Sequence, residues 1–306
     1  MQPANSHKLQ SNQIKHKPMA QYHHLLPFLA LIVLLILPSS SHAILTDALF
    51  SETNDFIFGG QNLTNGNGTL SLLNNCGLSY YIKGQKVVDF NTTINGTKGC
   101  TLSVTRRGLL SLDDGSGNAP RTLGTAGELG EYVLLASNER FGVYGPRIWD
   151  NGVSRPPSTT LENKKLLRAT SNNFIYSDNS IDGIANGNAT IATNGDVSVY
   201  ITRYCALSVN HMTTGINIWN SNSSSAEPRI CSLYLTRRGV LPLLYYDESN
   251  ELHTQWTGGA LAELKKYYVL VLRYYGGLDI YGVSINVRNI PPYSGPVTEN
   301  IKMVTA

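Results

Sequence analysis

The chain has 306 residues, 42% apolar and 15% charged, with 24 Lys+Arg against 21 Asp+Glu. Three lysines (Lys8, Lys15, Lys17) and no acid lie in the first 43 residues, which leaves 21 bases, 21 acids and no net charge in the rest. A neutral chain is not a nucleic-acid binder, one with 17 tyrosines is not disordered, and one that keeps only His211 and His253 beyond residue 43 has no His-rich metal site.

From the N-terminus, Leu25–Leu37 is a run of 13 uncharged residues, too short to span a bilayer. Pro38 ends it, and Ser39-Ser40-Ser41-His42-Ala43 follows with small residues at the −3 and −1 places. This predicts a secretory signal over residues 1–43, cleaved after Ala43, with Met19 as an alternative start and a retained anchor as the rival reading. No second apolar run of spanning length follows, so the expected product is secreted, either extracellular or vacuolar. Six sequons, at Asn62, Asn67, Asn91, Asn95, Asn188 and Asn222, are glycan acceptors wherever they lie on exposed loops of such a product. The four cysteines, at 76, 100, 205 and 231, allow three pairings. Their spacings predict Cys76–Cys100 and Cys205–Cys231, each worth roughly 3–4 kcal/mol against the unfolded chain.

The chain repeats itself. Cys100-Thr-Leu-Ser-Val-Thr-Arg-Arg-Gly-Leu-Leu110 returns 131 residues later as Cys231-Ser-Leu-Tyr-Leu-Thr-Arg-Arg-Gly-Val-Leu241. Tyr132-Val-Leu-Leu135 returns as Tyr268-Val-Leu-Val271, and Val143-Tyr-Gly145 as Ile280-Tyr-Gly282. A shift of domain size predicts two homologous domains, 44–155 and 171–290, joined by a linker over 156–170 and followed by a tail over 291–306. Within each half, Val197, Val199 and Ile201 alternate with Ser198, Tyr200 and Thr202, and Val283, Ile285 and Val287 with Ser284 and Asn286. Gly108, Gly239, Asn65-Gly66 and Asn194-Gly195 punctuate the runs, which predicts antiparallel hairpins and an all-β class. Ala260–Lys266 is the one helix-like run, either a loop or two turns of helix.

These residues resemble the bulb-type mannose-binding lectins of monocots, with their β-prism II fold. The resemblance is carried by the Cys-x-Leu-x-x-x-x-x-Gly frames Cys100–Gly108 and Cys231–Gly239, the block from Glu131 to Trp149, and Trp256–Gly259. It covers roughly 47–152 and 173–287. It implies two tandem prisms, each of three four-stranded antiparallel sheets, and a site on each sheet with the pattern Gln-x-Asp-x-Asn-x-Val-x-Tyr. There amide, carboxylate and phenol bind sugar hydroxyls while valine walls the ring. The six corresponding stretches, Leu73–Tyr81, Thr105–Asp113, Ala136–Tyr144, Thr202–Asn210, Thr236–Leu244 and Arg273–Tyr281, never keep Gln, Asp and Asn together. A millimolar site is worth about −4 kcal/mol, and each lost charged-acceptor bond costs about 1.5–3 kcal/mol, so free mannose should bind weakly.

The remaining sugar-binding candidates are Asn75 with Tyr81, Asn138 with Tyr144, and Arg273 with Tyr275, Asp279 and Tyr281; strand packing is the competing reading of the tyrosines. Arg106-Arg107 and Arg237-Arg238 are solvated hairpin tips or forks for acidic sugars. Trp149, Trp219 and Trp256 are expected inside the prisms. Asp113–Asn118 and the Asp247, Glu248, Glu251, His253 group read as polar turns rather than metal or acid–base sites. The expectation is therefore a non-enzymatic glycan- or glycoprotein-binding lectin in a defence or storage role, without cofactor, metal, nucleic acid or membrane insertion. It would act as a homodimer or a domain-paired monomer. The alternative is a binding-dead scaffold working through protein contacts.

Overall fold

The computed structural model describes residues 48–53, 55–95, 99–136, 141–155, 174–177, 180–182, 189–263, 267–282 and 284–285. The signal, the 156–170 linker, the 291–306 tail, Asn138 and Asn188 lie outside the described residues. Among the described residues there are strands and no helix, and the described part of the helix-like run, 260–263, is irregular.

Six four-stranded antiparallel sheets make up the fold. Sheet one runs Asn62–Asn65, Gly68–Leu72, Leu78–Ile82, Gln85–Asp89, and sheet two Phe56–Phe58, Thr101–Val104, Leu110–Asp113, Arg121–Leu123. Sheet four runs Ala189–Asn194, Val197–Ile201, Leu207–His211, Asn217–Asn220, and sheet five Ser180–Asp182, Cys231–Tyr234, Val240–Tyr246, Leu252–Gly259. The Asn-Gly signals act as expected: Gly66 (φ 58°) and Gly195 (φ 59°) open two-residue hairpins closed by Asn65–Gly68 and Asn194–Val197.

The two remaining sheets are each built from both halves of the chain. Sheet three orders Ala48–Phe50, Val133–Ala136, Phe141–Tyr144 and then Ser284–Ile285 from the far C-terminal side. Sheet six orders Arg147–Asp150, Leu278–Tyr281, Val269–Leu272 and Phe174–Tyr176, its first strand coming from the first half. Tyr144 pairs with Ser284 as Tyr281 pairs with Arg147, so the exchange is reciprocal and falls at equivalent positions of the repeat.

Alternation explains the packing. Leu70, Leu72, Leu78 and Tyr80 of sheet one, Leu102, Leu110 and Leu112 of sheet two, and Leu134, Ala136 and Val143 of sheet three close one prism core. Val199, Leu207 and Val209 meet Leu233, Leu243, Leu270 and Ile280 in the other. The alternate residues of sheets three and six, which include Phe50, Val133, Leu135 and Tyr144 against Val269, Val271 and Tyr281, form a third apolar cluster between the prisms. This is why Val133–Ala136 and Val269–Leu272 are unbroken apolar runs: both faces of those strands are buried. The disulfides Cys76–Cys100 and Cys205–Cys231 each lie within one prism, with Cα atoms 5.4 and 5.7 Å apart.

Candidate functional site

On sheets one and four polar residues that do not enter a core form an outer face. Sheet four carries two cross-strand rows, Thr190–Tyr200–Ser208–Asn220 and Thr193–Ser198–Asn210–Asn217. Their side chains are tied together. Asn210 Nδ2 donates to the Tyr200 hydroxyl (2.5 Å), and Asn217 Nδ2 donates to Ser208 Oγ (2.7 Å) and to Asn210 Oδ1 (2.8 Å). Ser208 is fully buried beneath them, while Tyr200 and Asn210 are half-buried and Asn217 is exposed. Held this way, amide, hydroxyl and phenol groups are preorganised, and their remaining lone pairs and protons are offered to a polyhydroxylated ligand at little entropic cost. The cluster draws on three strands, so a pattern read along a single strand misses it; the sequence signal was the alternation of Ser198 and Tyr200 with the valines.

Sheet one carries the rows Asn62–Ser71–Ser79–Asp89 and Thr64–Thr69–Tyr81–Lys86. Tyr81, a sequence candidate, is half-buried in that face. Asn75 is exposed in the preceding turn, where its Oδ1 accepts the Gly77 amide at 3.1 Å, and no hydrogen bond joins it to Tyr81. On sheet five the corresponding positions include the buried Pro242 and Leu244, in rows with Thr257 and with Ser232 and Thr254.

The third pair of candidate sites takes a different place from that expected. Tyr144, Arg273, Asp279 and Tyr281 are 2%, 4%, 1% and 0% exposed, closed off between sheets three and six. The structure does bring Arg273, Asp279 and Tyr281 together, but as a buried cluster. Arg273 donates from Nε to Asp279 Oδ2 (2.6 Å) and from Nη2 to the Tyr281 hydroxyl (2.7 Å) and to Glu52 of the other half. Its guanidinium lies 3.6 Å above the Phe50 ring. Arg147, on the exchanged strand, reaches Asp279 Oδ1 (3.3 Å) and Glu131 Oε2 (2.9 Å). Burial opposes the charge of Arg273, yet Tyr281, Asp279 and Glu52 hold it firmly protonated. Burial and the adjacent Glu52 push Glu131 up to about 7. Tyr275 stands beside this cluster, half-buried and edge-to-face with Tyr274 at 5.2 Å, its hydroxyl pushed up to about 12 by burial. The polar residues expected to meet a sugar here instead fasten the two halves, because the exchanged strands bring the two sheets face to face.

The other candidates behave as structural elements. Trp219 and Trp149 both pack edge-to-face on Trp256, at 5.9 and 6.4 Å, against the second core. Asp247 Oδ1 accepts the amides of Ser249 and Glu251 (both 2.9 Å) and its Oδ2 lies 2.7 Å from His253 Nε2, so that group is committed to its turn. Asp113 and Asp114 accept the amides of Gly115 and Ser116 in the same manner. The Arg106-Arg107 tip turns at Gly108 (φ 73°), and the Arg237 guanidinium lies 5.2 Å over the Tyr267 ring.

Two tandem β-prisms with exposed hydroxyl- and amide-bearing sheets define a two-domain bulb-lectin fold. No family model matches the chain. It is similar to mannose-specific lectin 1 of Colocasia esculenta, 25% identical over 260 residues that cover 84% of this chain and 89% of that one. It is also similar in structure to the fetuin-binding agglutinin of Scilla campanulata, a two-domain lectin, with a TM-score of 0.62, 22% identity, and coverage of 78% of this chain and 98% of that one. The Polygonatum cyrtonema lectin solved with a monomannoside is 27% identical over 36% of this chain and 99% of its own, at a TM-score of 0.32. These relatives are lectins, not enzymes.

Proposed function

We propose that the protein is a carbohydrate-binding lectin that recognises glycans on glycoproteins and has little affinity for free mannose. The observation that carries this reading is the preorganised Tyr200–Ser208–Asn210–Asn217 cluster on the outer face of sheet four. The relatives' names point to glycan ligands, mannose for one and fetuin for another. The altered specificity is supported by the failure of all six stretches to keep Gln, Asp and Asn together and by the burial of the sheet-three and sheet-six residues. On this reading the chain is exported by way of its leader and modified at some of its sequons. It works in defence or storage by holding several weak sites on one molecule, so that avidity rather than single-site affinity sets its binding.

The test is a glycan array probed with the intact protein at micromolar concentration, followed by agglutination with and without millimolar methyl α-mannoside. Binding to branched glycans that mannoside does not displace is expected, and Asn210→Ala with Asn217→Ala should weaken it at least about tenfold. An array without any ligand would sink the proposal and leave the scaffold reading, which the buried sheet-three and sheet-six residues already favour for that pair of sites.

A further inference from the structure

Two of the sequons are one structural site made twice. Asn91 follows the strand Gln85–Asp89 at the edge of sheet one, and Asn222 follows Asn217–Asn220 at the edge of sheet four, 131 residues on. Register fixes the equivalence: the amides of the preceding residues, Phe90 and Ser221, donate to Leu78 O (3.0 Å) and Leu207 O (2.9 Å) at the same point of each sheet. Both asparagines turn the chain through the left-handed region, at φ 51° and 54°. Both donate the backbone amide to the side chain two residues back, Asp89 Oδ1 (3.0 Å) and Asn220 Oδ1 (2.7 Å). The next hydroxyl then ties each bend to its disulfide: Thr92 Oγ1 donates to Cys76 O (2.6 Å) and Ser223 Oγ to Cys205 O (3.1 Å).

These bonds account for two residues of each triplet. Asparagine tolerates a positive φ better than other side chains, and Thr92 and Ser223 are anchors. Nothing in the bend asks for a hydroxyl at Thr93 or Ser224. Both are exposed, as are Asn91 and Asn222, and among the described residues no hydrogen bond engages any of these four side chains. An unengaged carboxamide with an unengaged hydroxyl two residues on, displayed at a fixed bend, is what an N-glycan acceptor requires. Asn62 differs, being half-buried in its strand with Oδ1 accepting Ser71 Oγ at 2.7 Å. Asn67 differs as well: the hairpins closed by Asn65–Gly68 and Asn194–Val197 place Asp196 at its counterpart, so that sequon is not duplicated.

We propose that Asn91 and Asn222 are a twin modification site, each carrying an N-linked glycan, one on each prism. The transfer joins Asn Nδ2 to the anomeric carbon of a lipid-diphosphate-linked oligosaccharide and breaks that carbon's bond to the diphosphate oxygen. The amide proton leaves with the departing diphosphate. Both asparagines follow edge strands, whose outward backbone groups are open to pairing with another chain, and a bulky hydrated group there covers the edge. They stand two residues past Asp89 and Asn220, which end the rows Asn62–Ser71–Ser79–Asp89 and Thr190–Tyr200–Ser208–Asn220. Each glycan therefore borders a polar face without taking the place of any side chain on it. The proposal rests on the reading of the chain as an exported protein and is independent of what those faces bind.

The full chain with its own leader is expressed in secreting eukaryotic cells, and the purified protein is treated with a peptide N-glycosidase in heavy-oxygen water, which converts each linked Asn to a labelled Asp. Peptide mass spectrometry should find the label at both Asn91 and Asn222. Thr93→Ala and Ser224→Ala remove the acceptor motif but leave the left-handed asparagines and the anchoring hydroxyls in place, so the fold is kept. Each variant should lose the mass of one glycan, their combination the mass of two, and Thr93→Ser and Ser224→Thr should restore it. A secreted wild-type chain unlabelled at either asparagine would overturn the proposal and leave the export reading standing. So would Ala variants of unchanged glycan mass. A chain retained in the cell with its leader uncleaved and no glycan attached would take down the export reading and this proposal together.

Discussion

Glu131 and Glu52, both of the first half, face each other where that half meets the second, with Arg147 at 2.9 Å from Glu131 and Arg273 of the second half bonded to Glu52. Two carboxylates this close share protons unequally. Glu131, pushed up to about 7 by burial and by Glu52, holds its proton more tightly in the folded protein than in the unfolded chain. Its stabilising contribution is complete below the ordinary carboxylate range and is lost as pH rises through about 7. Burial of Glu52 works to raise it, but Arg273 and the neighbouring groups bring it below the ordinary value, so its contribution is present above that value and fades on acidification. The expected melting temperature is therefore highest in mildly acidic solution and drops by a few degrees toward pH 8. Glu131→Gln, which keeps a hydrogen-bonding group without the charge, should flatten the alkaline fall; an unchanged profile in that variant would show that the pair does not control it. Tyr281→Phe separates the structural from the binding interpretation of the same cluster. It removes the acceptor for Arg273 Nη2 at 2.7 Å, which should cost about 1.5–3 kcal/mol of stability and leave glycan binding unchanged. A loss of binding at unchanged stability would return Tyr281 to the sugar contacts.

At the scale of strands, the exchange decides what each half can do alone. Arg147–Asp150 leaves its own prism to edge sheet six, and Ser284–Ile285 returns the pairing to sheet three. Without the second half, residues 44–155 would present Val133, Leu135 and Tyr144, all now at most 2% exposed, together with an unpaired edge. Such a surface does not remain in water. The strand at 147–150 matches the Tyr144 strand in register as Ser284 does, so a second copy can supply the missing edge. Residues 44–155 produced alone are expected to run as a dimer by light scattering, and a stable monomer would mean that the exchange contributes little. Tight turns feel the exchange too. Gly239 has φ 74°, and a Cβ there would lie 2.5 Å from Ile148 Cδ1 on the exchanged strand, so Gly239→Ala should destabilise by more than the usual 1 kcal/mol or so of a glycine replacement.

Across the whole molecule, the features local in sequence were legible and the non-local ones were not. The Asn-Gly turns, the Val197–Ile201 alternation and the disulfide spacings lie within short stretches of chain and appear in the structure; the repeat was legible because short frames recur nearly unchanged 131 residues on. The roles of Arg273, Asp279, Tyr144 and Tyr281 were not legible, because their burial comes from two sheets more than a hundred residues apart being brought together. The one local hint was the unbroken Val133–Ala136 and Val269–Leu272 runs, which signal strands covered on both faces. The Tyr200–Asn217 cluster escaped for the related reason that it spans three strands.

The same non-local construction bears on how the molecule unfolds. Each prism has its own core and its own disulfide, which by themselves would give two independent transitions. But sheets three and six each contain strands from both halves, and the Arg273 and Arg147 ion pairs with Glu52 and Asp279 cross the same contact. Melting one prism strips an edge from the other and leaves buried charges without partners, at a cost of about 3–5 kcal/mol for a broken buried pair. Coupling of that size exceeds the energy at which two such units would part separately, so calorimetry should show a single transition with equal calorimetric and van't Hoff enthalpies. Arg273→Ala should lower that transition and split it, because the buried Asp279 and Glu52 then favour separation of the halves. Two well-resolved transitions in the unmodified protein would mean that the exchanged strands tether the prisms without coupling them.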